Sequence, residues 1–149
     1  MLYIDNMKKK IIIISVLILI IVGVVWYLTP KTFAKGVNPD DVDKFSVFDG
    51  QTGTGFMVDD PTYIKMIVRN LQNTPVKRSG ISLGNMGYGF KIEGLDANGK
   101  TIIPVILINS ETTIREDPFF YSCDGGLCFD FLKELEPDLS SEEYLGEMK

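Results

Sequence analysis

The chain has 149 residues, 45% of them apolar, a formal net charge of −5 at pH 7 and no histidine. Without histidine it lacks the commonest general base and metal ligand at neutral pH, and its two cysteines alone cannot fill a structural zinc site. From Gly36 onward ten Lys and Arg stand against nineteen Asp and Glu, so this part repels nucleic acid and anionic headgroups, and a nucleic-acid partner is excluded.

Residues 1–10 read as a short cytoplasmic tail ending in Lys8, Lys9 and Lys10. Residues 11–28 follow without a charge. At about 1.5 Å rise per residue this block spans roughly 27 Å, close to the ~30 Å hydrocarbon thickness of a bilayer. It is apolar on every face, which predicts a single-pass transmembrane helix in contact with lipid rather than an amphipathic surface helix. The three lysines before it outnumber Lys31 and Lys35 after it, placing the N-terminus in the cytoplasm and the rest outside the cell membrane. Trp26 and Tyr27 belong at the far interface, and Pro30 ends the helix. Met7-Lys-Lys-Lys reads as a second n-region, so translation starts at Met1 or Met7. A cleaved signal peptide is the competing reading, with Thr32-Phe33-Ala34 supplying small residues where a signal peptidase reads them. The apolar block is longer than a usual h-region, which favours a retained signal-anchor. No cysteine follows the block closely, which excludes a lipid-modified lipoprotein.

Residues 29–41, with Pro30, Gly36, Asn38 and Pro39, read as a polar stalk. An extracytoplasmic domain is expected over 42–136, long enough for one compact core. Phe45–Phe48 and Gly55–Val58 form a hairpin around Asp49–Gly53. Asp59 or Asp60 caps a helix with Pro61 in its first turn, and Ile64, Ile67, Val68 and Leu71 make one buried stripe. Val76–Ser79 and Gly89–Leu95 read as strands, and the turn Asp96–Gly99 returns the chain into Lys100–Ile108. Pro104 marks an edge or a bulge in that last strand. Thr112–Arg115 and Phe119–Tyr121 add strands, Phe129, Leu132 and Leu135 a short helix, and 137–149 an acidic flexible tail. The fold class is therefore α+β: a mostly antiparallel sheet packed with one main helix and a short C-terminal one.

Two local features bear on function. Cys123 and Cys128 flank two glycines and form a disulfide candidate outside the cytoplasm. Their spacing is not that of a redox C-x-x-C pair, and a catalytic thiol would have no imidazole partner. The stretch containing Gly80, Gly84, Gly87 and Gly89 lacks the Gly-Lys-Ser/Thr of a phosphate loop. It reads as a flexible loop, with Met86 and Tyr88 as possible contact residues.

Asp49-Gly50, the run Asp60–Leu71, the run Gly87–Lys100 and Phe120-Tyr121 occur in an order that resembles uncharacterised small extracytoplasmic domains. Such domains are carried by membrane-anchored proteins of low-GC Gram-positive bacteria and by the outer segments of some receptor-type metalloprotease relatives. The matching residues are turn, cap and strand signals, so the resemblance implies no catalytic residues; the H-E-x-x-H zinc motif is absent from the sequence. The expectation is a non-enzymatic, membrane-anchored binding, sensing or accessory module without a cofactor, working with a membrane or cell-surface protein partner. The alternative is a secreted or surface enzyme or inhibitor that uses carboxylates after signal-peptide cleavage.

Overall fold

The structure, a computed structural model, describes residues 2–139 and divides into two compact units, one ending at Pro30 and one beginning at Lys31. The tail expected over 137–149 falls, from position 140 on, outside the described residues.

The first unit is one helix, α1, Leu2–Leu28. The helix begins at Leu2, within the segment read as the cytoplasmic tail, because no Pro or Gly interrupts the chain before the apolar block. Over Met7–Leu28 the helix is long and apolar enough to cross a membrane, a test that a signal sequence also passes. Lys8, Lys9, Lys10 and Trp26 are exposed on it. The Thr29 backbone N–H and hydroxyl both donate to the Val25 carbonyl, at 3.0 and 2.6 Å, and close its last turn.

The second unit is α+β. Its strands are β1 (Lys44–Asp49), β2 (Gly55–Val58), β3 (Lys77–Ile81), β4 (Phe90–Leu95), β5 (Thr101–Ser110), β6 (Thr113–Glu116) and β7 (Phe119–Ser122). Among the described residues they form one antiparallel sheet in the order β2-β1-β4-β5-β6-β7-β3. The helix α2 (Pro61–Asn73) joins β2 at one edge of this sheet to β3 at the other, so it has to span the sheet. The Asp60 carboxylate starts it by accepting from the backbone N–H groups of Thr62 at 2.7 Å and Tyr63 at 3.2 Å. Its stripe Ile64, Ile67, Val68 and Leu71 is buried in one core with Phe45, Val47, Phe90, Ile92, Ile106, Ile108, Ile114 and Tyr121. A final helix, α3 (Phe129–Leu139), joins the same layer. Its Phe129 meets Phe90 edge-on at 5.2 Å and its Phe131 meets Tyr63 of α2 at 5.5 Å.

Pro104 sits where the sequence places a bulge. Ile92 pairs with Ile106 and Gly94 with Ile103, so Pro104 and Val105 stand opposite the single residue Glu93. β6 pairs with β5 only from Leu107 onward, so the missing Pro104 N–H breaks no ladder bond on that side.

From Lys31 on, the segment read as a stalk is part of the folded domain. Lys31 and Val76 exchange both backbone hydrogen bonds, at 2.9 and 2.8 Å, and the Phe33 N–H donates to the Leu71 carbonyl at 3.0 Å. Phe33 is only 6% exposed, and Val42 is buried as well. The Gln72 amide of α2 donates to the carbonyls of Ala34 at 2.9 Å and Val37 at 2.7 Å. A turn of 3₁₀ helix, Pro39–Asp41, follows, capped by Asn38. Isolated apolar residues among Pro, Gly and Asn show no period, so the sequence gives no sign that this stretch packs.

Candidate interaction site

The connection Ser82–Gly89 runs from the edge strand β3 back to β4, with β5, β6 and β7 lying between them. A crossing of that length needs support, and the β6–β7 turn supplies it. Ser82 is buried, its hydroxyl donates to the Asp117 carboxylate, and its backbone N–H donates to the Pro118 carbonyl at 2.9 Å. Arg115 donates from Nε and Nη2 to the two Asp117 oxygens at 3.0 and 3.3 Å, and from Nη1 to the Gly87 carbonyl at 3.3 Å. The Asn85 N–H closes the bend onto the Ser82 carbonyl at 3.0 Å. The bonds from Arg115 and then from Ser82 hold the Asp117 carboxyl below its ordinary range, outweighing its partial desolvation.

The side chains that this polar base leaves outward are apolar. Met86 is 97% exposed, Leu83 68% and Ile81 67%. Tyr88 differs: it is half-buried, and its carbonyl and ring lie against Gly50, where an added Cβ would come within 2.6 Å of the carbonyl oxygen. Of the two expected contact residues, Met86 therefore faces solvent and Tyr88 seats the loop. Ile81 and Leu83 were not singled out from the sequence. The available signal was the run Ser79-Gly-Ile-Ser-Leu-Gly84, which sets two large apolar residues among turn formers.

Cys123 and Cys128 are free thiols, which corrects the expected disulfide. Cys123 Sγ lies 3.7 Å from the Glu111 carbonyl and 3.6 Å from the Gly125 carbonyl. Cys128 instead belongs to the core, where burial pushes its thiol up to about 12. The loop between them is held from α2: the Asn70 side chain accepts from the Cys128 N–H at 3.0 Å and donates to the Gly126 carbonyl. A C-x4-C spacing allows a bridge but does not require one, and here a polar clamp fixes the loop.

Two groups of carboxylates complete the inventory. Glu111 is raised by a hydrogen bond and by repulsion from Asp130, and both groups are exposed. A cleft of about 280 Å³ is lined by Asp40, Asp41, Asp43 and Asp59 together with Pro61, Ile64 and Lys65. The Lys65 ammonium lies 2.9 Å from the Asp40 carboxylate there. Among the described residues no group of His, Cys, Asp and Glu is arranged to hold a metal ion. Compared with known proteins, the chain matches no family model, no curated protein and no solved structure.

Proposed function

We propose that the chain is a membrane-anchored module whose domain, on the outer face of the cell membrane, binds a protein partner through the β3–β4 connection. The observation that carries this reading is the pairing of a fixed base with an apolar tip. Arg115, Asp117 and Ser82 hold the loop, while Ile81, Leu83 and Met86 stay in water. Large apolar side chains left together in water on an ordered loop mark interaction surfaces, because burying them against a partner recovers the hydrophobic free energy that the fold itself leaves unused. The lysines before α1 support a cytoplasmic N-terminus, and the acidic domain suits a soluble outer segment. The alternative, a released enzyme or inhibitor that uses carboxylates, would find its seat in the cleft of Asp40, Asp41, Asp43 and Asp59.

The test is capture of the tagged full chain from crosslinked native membranes, beside a Leu83→Ser/Met86→Ser variant. The expected result is a membrane or surface protein recovered with the wild type and lost with the variant. Equal recovery from both chains would remove the loop from the binding surface. No partner at all, with a chain found free of membranes, would turn the reading toward the released alternative.

A further inference from the structure

Thr32-Phe33-Ala34 offers a signal peptidase its small-x-small pattern, yet in the folded domain Phe33 is part of the core and Ala34 packs against it. Phe33 stacks edge to face on Tyr121 with centroids 5.7 Å apart, and its N–H is bonded to Leu71. On one side Lys31 is paired through its backbone with Val76, and its ammonium reaches Glu116 and lies 4.5 Å from the centre of the Tyr121 ring. On the other side the Ala34 carbonyl accepts from Gln72, and Ala34 itself has φ 52°, away from the extended form in which peptides lie along an enzyme's strand. The scissile carbonyl, the residue before it and the upstream backbone are therefore all engaged by α2, β7 and the residue preceding β3.

We infer that Ala34–Lys35 is a conditional processing site, closed when the domain folds and open when it does not. Cleavage there is hydrolysis by a membrane-bound signal-type peptidase. Water adds across the amide, its oxygen ends in the Ala34 carboxylate, and the nitrogen leaves as the Lys35 amine. A folded domain restricts this reaction to the fraction of chains that are open, about 10⁻³ to 10⁻⁶ for marginally stable domains, so processing slows by roughly a thousandfold or more. Cleavage after Ala34 would also take Lys31 and Phe33 away with the helix, leaving Tyr121 without the Phe33 ring and the residue before β3 without its bridge to Lys31. A chain cut before it folds thus loses part of its own core, so only folded chains keep their anchor. The inference rests on the anchored reading above and adds a rule for which copies stay anchored.

The experiment uses the full chain with a C-terminal tag, expressed in cells with active signal peptidase, and reads the N-terminal residue by intact mass in membrane and released fractions. Three chains are compared: wild type, Ile67→Asp, and Ile67→Asp/Ala34→Arg. Ile67 is fully buried on α2 and remote in sequence from the site, so its replacement opens the domain without changing residues 26–36. The expected result is intact wild type in the membrane, a fragment beginning at Lys35 at least tenfold enriched for Ile67→Asp, and its loss when Arg replaces Ala34. An Ile67→Asp chain that shows no Lys35 end overturns the inference but leaves the anchored module standing. A wild-type chain that begins at Lys35 overturns both.

Discussion

Phe33 and Tyr121 lie with ring planes at 87° and centroids 5.7 Å apart, although 88 positions separate them in the chain. The contact fastens the segment that leaves the apolar helix onto the next-to-last strand of the sheet, β7. Removing the ring in Phe33→Ala leaves a cavity against Tyr121 and should cost about 3 kcal/mol. In urea this appears as a midpoint lower by about 1–2 M for the detergent-solubilised full chain. Phe33→Leu should recover most of the loss, and an unchanged midpoint would show that the segment does not belong to the core.

Asp117 predicts a pH dependence for the loop. Its folded pKa lies below the ordinary 3.8, so its contribution is fully present above that value and fades as pH falls through the lower, folded one. Hydrogen exchange at Ser82, corrected for intrinsic rates, should stay constant from neutral pH to about 4 and quicken below it. Asp117→Asn should show the fast behaviour at neutral pH already. Identical protection in both chains at pH 7 would mean that the Arg115–Asp117–Ser82 bonds do not hold the loop.

The thiols predict a labelling pattern. With the Cys128 pKa near 12, about 10⁻⁴ of that group is thiolate at pH 8, and burial shields it further. Alkylation of the native chain should add one label, at Cys123, and alkylation in denaturant should add two. A chain that takes no label in denaturant until it is reduced would carry the disulfide after all.

Gly89 makes the tightest steric prediction. A Cβ there would lie 2.8 Å from the Ile108 carbonyl oxygen and would run into the Phe129 ring. Gly89→Ala should therefore cost about 2 kcal/mol through displaced packing between β4 and α3. At Gly80 a Cβ meets nothing within 4 Å, so Gly80→Ala should change stability by no more than about 0.5 kcal/mol. Comparing the two melting temperatures separates close approach from mere glycine content.

Most of the domain was legible because its signals are local. Asp60-Pro61 with the stripe Ile64, Ile67, Val68 and Leu71 specified α2 within one stretch of chain, and the Asx turn at Asp96 specified its hairpin. At Pro104 the missing N–H points to an edge or a bulge, and the chain forms the bulge. What stayed hidden depended on partners distant in sequence. Phe33 reads as a stalk residue until Leu71 and Tyr121 are brought beside it. Ile81 and Leu83 gain meaning only once Arg115 and Asp117 are seen to fix the loop beside them. The two thiols went the same way: their spacing suggested a bond, while Asn70, more than fifty residues earlier, holds that loop.

The placement of β3 sets a timetable for synthesis. Its only strand partner among the described residues is β7, with Lys77 opposite Ser122 and Ile81 opposite Phe119. A chain emerging N-terminus first has therefore made α2 and the bridge residue Val76 long before their edge of the sheet has a neighbour. Non-local pairings of this kind delay completion, because a long loop must close before the contact rewards it. The nascent domain must wait for Phe119–Ser122 to appear before its β3 edge, and with it the seat of Phe33, can assemble. Until then β3 has no strand to pair with, and the order of synthesis sets the order in which the sheet can close.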